Sequence, residues 1–231
     1  MTQTWMEYAS KPEGTKNLWL DVRFNKEGKF LPESGNTVVA QVIPGSSTEH
    51  ALIWLRHALQ ALPFGHQFAF TEVASYHMTL FEGVIDSNRQ VGFWPASLPL
   101  DTHIDVMTSK MAAMLDGFMA PPAFFVKPVE VRPFGLGLAG ASAADETNLR
   151  AWRDALSKAF GFRTAKHDEY QFHTTLAYIH SWLPETALPN YQAAMAELTA
   201  EFISRVPIME LAPAAFCRFA DMNAFPPVRQ L

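Results

Sequence analysis

The feature that most constrains this chain is a short pattern that occurs twice, as Tyr76-His77-Met78-Thr79-Leu80-Phe81 and again as Phe172-His173-Thr174-Thr175-Leu176-Ala177. Each copy reads aromatic, His, any residue, Thr, Leu. On an extended strand successive side chains alternate between faces, so His77 and Thr79 share one face while Tyr76, Met78 and Leu80 share the other. The second copy sorts the same way, with His173 and Thr175 opposite Phe172, Thr174 and Leu176. Two strands that each set an imidazole beside a hydroxyl, away from their larger apolar residues, read as two halves of one polar site. The stretch between the copies is long enough to build a lobe before the pattern recurs.

The rest of the chain supplies those lobes. Thr37 to Ile43 is rich in β-branched residues and reads as a buried strand closed by Pro44-Gly45. Ser46 and Glu49 stand at capping-box spacing before a helix whose apolar stripe is Ala51, Leu52, Leu55, Ala58, Leu59 and Leu62. Gln67–Val73 and Tyr76–Val84 follow as strands. Residues 85–101 form a Pro-bearing connection, long enough to suggest a task near the site. A helix from Thr102 or His103 to Phe118 carries Met107, Met111 and Met114 at core spacing, and Ala123–Leu138 alternates as one bent strand or two. A helix starts at Asp145 and stops at Gly161, the second motif lies on a strand at Tyr170–Ile179, and a further helix spans Pro184–Val206. Ile208–Asp221 reads as a strand pair broken near Pro213. Residues 1–35 form an N-terminal extension with a short hairpin at Leu18–Leu31, suited to a lid or edge pair, and 222–231 an irregular tail. With no low-complexity linker, this order predicts a single α+β domain over 1–231, built as two intimately packed lobes.

Composition narrows the function. Hydrophobic residues make up 48% and charged residues 18% of the 231, an ordinary folded balance. A net charge of −5 argues against an extended nucleic-acid groove, which would need clustered Lys and Arg. Cys217 is the single cysteine, so no intramolecular disulfide forms and its role is buried packing. The first ten residues lack a basic start with an apolar run, and no apolar stretch approaches the roughly 20 residues needed to span a bilayer. A cytoplasmic monomer with no membrane partner is expected. His50 and His57 are seven apart on a helix, not the i, i+4 of a metal pair, and read as surface residues. His167 reads as a loop residue.

The chemistry follows from the groups in the motifs. One imidazole can be neutral and accept a proton while the other is protonated and donates one. Attack on phosphorus needs a base for the incoming water and an acid for the departing alkoxide, on opposite sides of the phosphorus. His77 and His173, facing each other, meet that need. Thr79 and Thr175 would donate to the non-bridging oxygens, and no metal or cofactor is required. Phe81, next on the His77 face, is a candidate wall for a base, with core packing its plainer role. Arg132 is a candidate phosphate ligand if its strand lines the cleft. Tyr178, by simple alternation, points away from His173. Asp168 or Glu169 could join the histidines in a metal site, but no helical His-Glu ligand motif supports that reading.

The paired His-x-Thr strands resemble the 2H phosphoesterase superfamily, and Gly35-Asn36-Thr37-Val38-Val39 together with the segments Ser75–Gly83 and Tyr170–Tyr178 resembles a largely uncharacterised branch of it. The resemblance implies a bilobal, pseudo-two-fold α+β fold with two mainly antiparallel sheets flanked by helices around a central cleft. It implies action on cyclic or linear phosphodiesters, often of RNA or nucleotides, with His77 and His173 as base and acid and Thr79 and Thr175 as phosphate ligands. The expected activity is hydrolysis of a small cyclic phosphodiester such as a 2′,3′-cyclic nucleotide. The alternative is a non-catalytic module of the same fold that binds nucleotides or RNA ends.

Overall fold

A computed structural model describes residues 6–12, 14, 15, 17 and 19–231. Its elements are α1 (Met6–Ala9), β1 (Gly35–Gln41), α2 (Ser47–Ala61), β2 (Phe68–Phe70), β3 (His77–Ile85), α3 (Ile104–Met114), β4 (Val126–Arg132), β5 (Gly135–Gly140), α4 (Ala143–Phe160), β6 (His173–Thr175), β7 (Ala177–Ile179), α5 (Leu188–Arg205), β8 (Ala215–Phe219) and β9 (Pro227–Gln230). Seven strands form one sheet in the order β4-β5-β6-β3-β1-β8-β9, and β2 pairs with β7 in a separate ribbon. Every pairing between these strands is antiparallel.

Local chemistry sets the helix ends. The Ser46 hydroxyl accepts from the Glu49 amide at 3.1 Å, while the Glu49 carboxylate accepts from Gly45, one residue earlier than a reciprocal box requires. In α4 the box is complete between Ser142 and Asp145, so this helix starts at Ala143 rather than Asp145. Gly161, at φ 71°, closes it in the left-handed conformation that glycine adopts without strain.

Helical side chains such as Leu52, Leu55, Met107, Met111, Leu149, Leu156 and Phe202 join sheet residues Val38, Met78, Leu80, Leu136 and Phe216 in the main core. A smaller cluster of Val39, Ala215, Cys217, Phe219, Met222 and Phe225 lies apart from it. With apolar partners available to both parities of β1, that strand is buried along nearly its whole length.

Four expectations change. The two sheets are very unequal, one of seven strands and one of two, and the motif strands β3 and β6 lie side by side in the larger, paired through Met78 and Thr174. The expected strand Tyr170–Ile179 is two short strands in different sheets, divided at Leu176. Ile208–Asp221 supplies one strand, β8, plus an isolated bridge from Leu211 to Val42. The tail is not irregular throughout: β9 pairs with β8, and Pro227 sits at the first position of this edge strand, where a missing N–H is tolerated. In the extension, Phe24 and Phe30 form an antiparallel bridge around the Asn25–Lys29 turn, whereas Leu18, the start of the expected hairpin, lies outside the described residues. Among the described residues no helix is long and apolar enough to cross a membrane.

Candidate active site

The pairing of Met78 with Thr174 sets the site. In that antiparallel register His77 lies across from Thr175, and Thr79 lies across from His173. All four side chains line one cleft with a cavity volume of about 380 Å³. Met78 and Thr174, on the alternate parity, are fully buried. The structure thus brings together every member of the two His-x-Thr pairs.

Each imidazole is held in the same way. His77 Nδ1 lies 2.6 Å from the Ser75 carbonyl oxygen, and His173 Nδ1 lies 2.8 Å from that of Gln171. A carbonyl oxygen can only accept, so Nδ1 carries the proton in both neutral rings and the Nε2 lone pair is left free. Burial, together with the neighbouring His173 and against the pull of the Ser75 hydrogen bond, lowers the pKa of His77 to about 4. Burial likewise lowers His173, with the positive charge of Arg132 acting in the same direction. The Phe225 ring, centred 4.2 Å from that of His77, covers this imidazole, and the Gln41 amide holds the Phe225 carbonyl at 2.8 Å. Phe225→Ala should therefore admit water and move the His77 pKa up toward 6.5, by at least about one unit. A histidine NMR titration, assigned with His77→Gln, reads this directly; a His77 resonance still titrating near 4 would show that Phe225 is not the cause.

The two motif strands share an irregularity that alternation does not foresee. From His77 to Phe81 the sequence of partly buried and buried residues is the same as from His173 to Ala177, and in both the residue after Leu is also buried. In β3, Val38 pairs with Phe81 but Val39 pairs with Thr79, which makes Leu80 the extra residue of a bulge. In the second copy the amides of Leu176 and Ala177 both donate to the Phe134 carbonyl, at 2.9 and 3.0 Å. Each bulge leaves a carbonyl that is met from elsewhere in the fold: Leu80 O by Arg153 Nη1 at 2.7 Å, and Leu176 O by the amide and hydroxyl of Thr71 at 2.9 and 3.2 Å.

One extra residue inverts the side chains that follow it, in β3 as far as the second register shift opposite Gly35–Thr37. Phe81 turns into the core, 5.6 and 5.2 Å from the rings of Phe160 and Phe162, and is not a wall of the cleft. Glu82 faces the cleft in its place. Tyr178, at the matching position of the second copy, also lines the cleft, contrary to simple alternation. Arg132 stands outside the lining, engaged by Glu130 at 2.8 Å and Gln171 at 3.2 Å.

Other lining residues were not singled out individually in the sequence, although the length of the 85–101 connection pointed to that segment. Tyr170 stands beside Thr79, its hydroxyl kept protonated by burial, and the Arg153 guanidinium stacks on its ring at 3.8 Å. The extension contributes Trp19 and Arg23, and the long 85–101 connection contributes Asn88 and Phe93. Away from the cleft, Asp154, His167 and Asp168 form the one group of three potential metal ligands among the described residues, and Arg163 already bridges both carboxylates.

A family model described as a domain of unknown function (DUF1868) and named 2H-phosphodiest matches residues 23–137, which include the first motif. The chain belongs to the 2H phosphoesterase superfamily. It is similar along its length to a crystallised conserved protein of unknown function, ATU0111, from Agrobacterium tumefaciens, at 41% identity over 97% of each chain and a TM-score of 0.95. That likeness extends over both motifs. A search of curated proteins found no match.

Proposed function

We propose that the protein is a phosphodiesterase that opens a small cyclic phosphodiester, such as a 2′,3′-cyclic nucleotide, by proton transfer between His77 and His173. The observation that carries this reading is the crossed arrangement of two His-Thr pairs on adjacent strands, each histidine with an Nε2 that has no hydrogen-bond partner among the described residues. One neutral imidazole takes a proton from water as its oxygen bonds to phosphorus. The other, as imidazolium, gives a proton to the ribose oxygen as the ring P–O bond breaks, leaving a phosphomonoester. Proton exchange with solvent restores the pair. The bound phosphate supplies the negative charge that favours an imidazolium in a site that otherwise keeps both rings neutral. Thr79 and Thr175 donate to the non-bridging oxygens, where charge builds in the transition state.

In the same reading, β1-α2-β3 and β5-α4-β6 are two lobes related by a pseudo-two-fold axis between β3 and β6. The small cleft and the acidic balance of the chain favour a nucleotide or an RNA end over a long strand. The test is incubation with 2′,3′-cyclic nucleotides, ADP-ribose cyclic phosphate and cyclic-phosphate-ended oligonucleotides. A phosphomonoester product, formed at the same rate with and without chelator, is expected. Tight binding with no product on long incubation would instead mark a non-catalytic binding module.

A further inference from the structure

The proposed chemistry leaves one charged group of the cleft unused. Arg23, only 8% exposed, reaches the cleft from the N-terminal extension. Its Nε donates to Glu33 Oε2 at 2.7 Å, and the other oxygen of Glu33 accepts from the Ser87 hydroxyl at 2.6 Å. Glu33 is therefore tied down at both oxygens, and it lies outside the cleft lining. The guanidinium carbon sits 4.1 Å from the centre of the Trp19 ring and 5.1 Å from that of Tyr178, and both rings line the cleft. Among the described residues the terminal nitrogens of Arg23 make no hydrogen bond to a carboxylate or a backbone carbonyl; the Tyr178 hydroxyl is their neighbour.

This arrangement differs from a simple structural ion pair. A guanidinium presents donors on a planar fork, and bidentate recognition of phosphate uses two of them side by side. Here one donor is committed to a carboxylate outside the cleft lining, the Trp19 and Tyr178 rings hold the guanidinium between the cleft walls, and the remaining donors are left at a cavity. Burying a cation with donors unspent is costly unless a ligand meets them. The cleft that holds Arg23 is also the one that holds His77 and His173.

We propose that Arg23, oriented by Glu33 and stacked on Trp19 and Tyr178, forms a second anion subsite of the cleft, which takes a phosphate or pyrophosphate group carried elsewhere on the substrate. The substrate class is then a cyclic phosphodiester with a further phosphate, such as a 5′-phosphorylated 2′,3′-cyclic nucleotide. This rests on reading the His77–His173 pair as the reacting phosphodiester site.

The experiment compares kcat/KM for a 2′,3′-cyclic nucleotide with and without a 5′-phosphate, in the wild type and in Arg23→Gln. The wild type is expected to prefer the 5′-phosphorylated substrate by about tenfold or more, the scale of a charge-assisted hydrogen-bond pair. In Arg23→Gln that ratio falls to near one. Partial unfolding of the variant lowers both values and leaves the ratio unchanged, so a retained preference, or a wild-type ratio near one, overturns the subsite. If the wild type turns over neither substrate, the phosphodiesterase reading fails on its own. Calorimetric titration of both proteins with inorganic pyrophosphate then decides the subsite: binding about tenfold tighter to the wild type supports it, and equal affinity overturns it.

Discussion

His77→Ala and His173→Ala are each expected to lower kcat on a cyclic phosphodiester by about a hundred- to ten-thousand-fold, the range for loss of one positioned proton-transfer group. Both side chains are partly exposed on the cleft face, and the truncations leave the core contacts of Met78 and Thr174 in place. Circular dichroism should therefore be unchanged while turnover collapses. Because the two groups act as a unit, the double variant should lose little more than either single one. The pH dependence gives an independent check. The proposed proton transfer needs one neutral and one protonated imidazole, so kcat/KM should be bell-shaped, with limbs that belong to the pair. Burial lowers both pKa values in the free protein, that of His77 to about 4, so the maximum of kcat/KM should fall below pH 6.5. The alkaline limb of kcat should lie higher, since bound phosphate favours the imidazolium. Undiminished turnover in both single variants would end the acid-base reading.

The cleft residues that repeat were legible in the sequence, and those that depend on a bulge were not. Alternation alone put His77 with Thr79 and His173 with Thr175, and the register of β3 against β6 crosses the pairs on one face. The same rule misplaced Phe81 and Tyr178 for one physical reason. Two amides sharing the Phe134 carbonyl, or Val38 and Val39 straddling Leu80, are relations between distant segments. The motif residues themselves carry no glycine or other bulge signal. Once the extra residue is counted, Glu82 and Tyr178 fall into place together. Arg23 was hidden differently: an arginine in an extension gains meaning only from Trp19, Glu33 and Tyr178 around it. The tail departs from the irregular reading because an edge strand accepts a proline at its start, as β9 does at Pro227.

Arg153→Leu is expected to destabilise the protein by roughly 2–4 kcal/mol, as judged from the urea midpoint, because Arg153 holds the first bulge closed. It lies among the apolar residues of α4, between Leu149, Trp152 and Leu156, and is 1% exposed. Its Nη1 meets the Leu80 carbonyl at 2.7 Å, its Nε meets the His167 carbonyl at 3.3 Å, and its plane supports Tyr170. Leucine fills much of the space but leaves two buried carbonyls unpaired, each costing about 1–3 kcal/mol. Relief from burying a cation, which already lowers the pKa of Arg153, offsets part of that loss. Lysine should restore little, since one ammonium group cannot span both carbonyls while lying flat on a ring. The kinetic consequence separates this role from simple packing. Without its support Tyr170 shifts beside Thr79, and kcat should fall in the fraction that remains folded, whereas a packing defect of equal size remote from Tyr170 should lower Tm alone. A stability change under about 0.5 kcal/mol would mean that Arg153 is dispensable and that the strand pairing holds the bulge by itself.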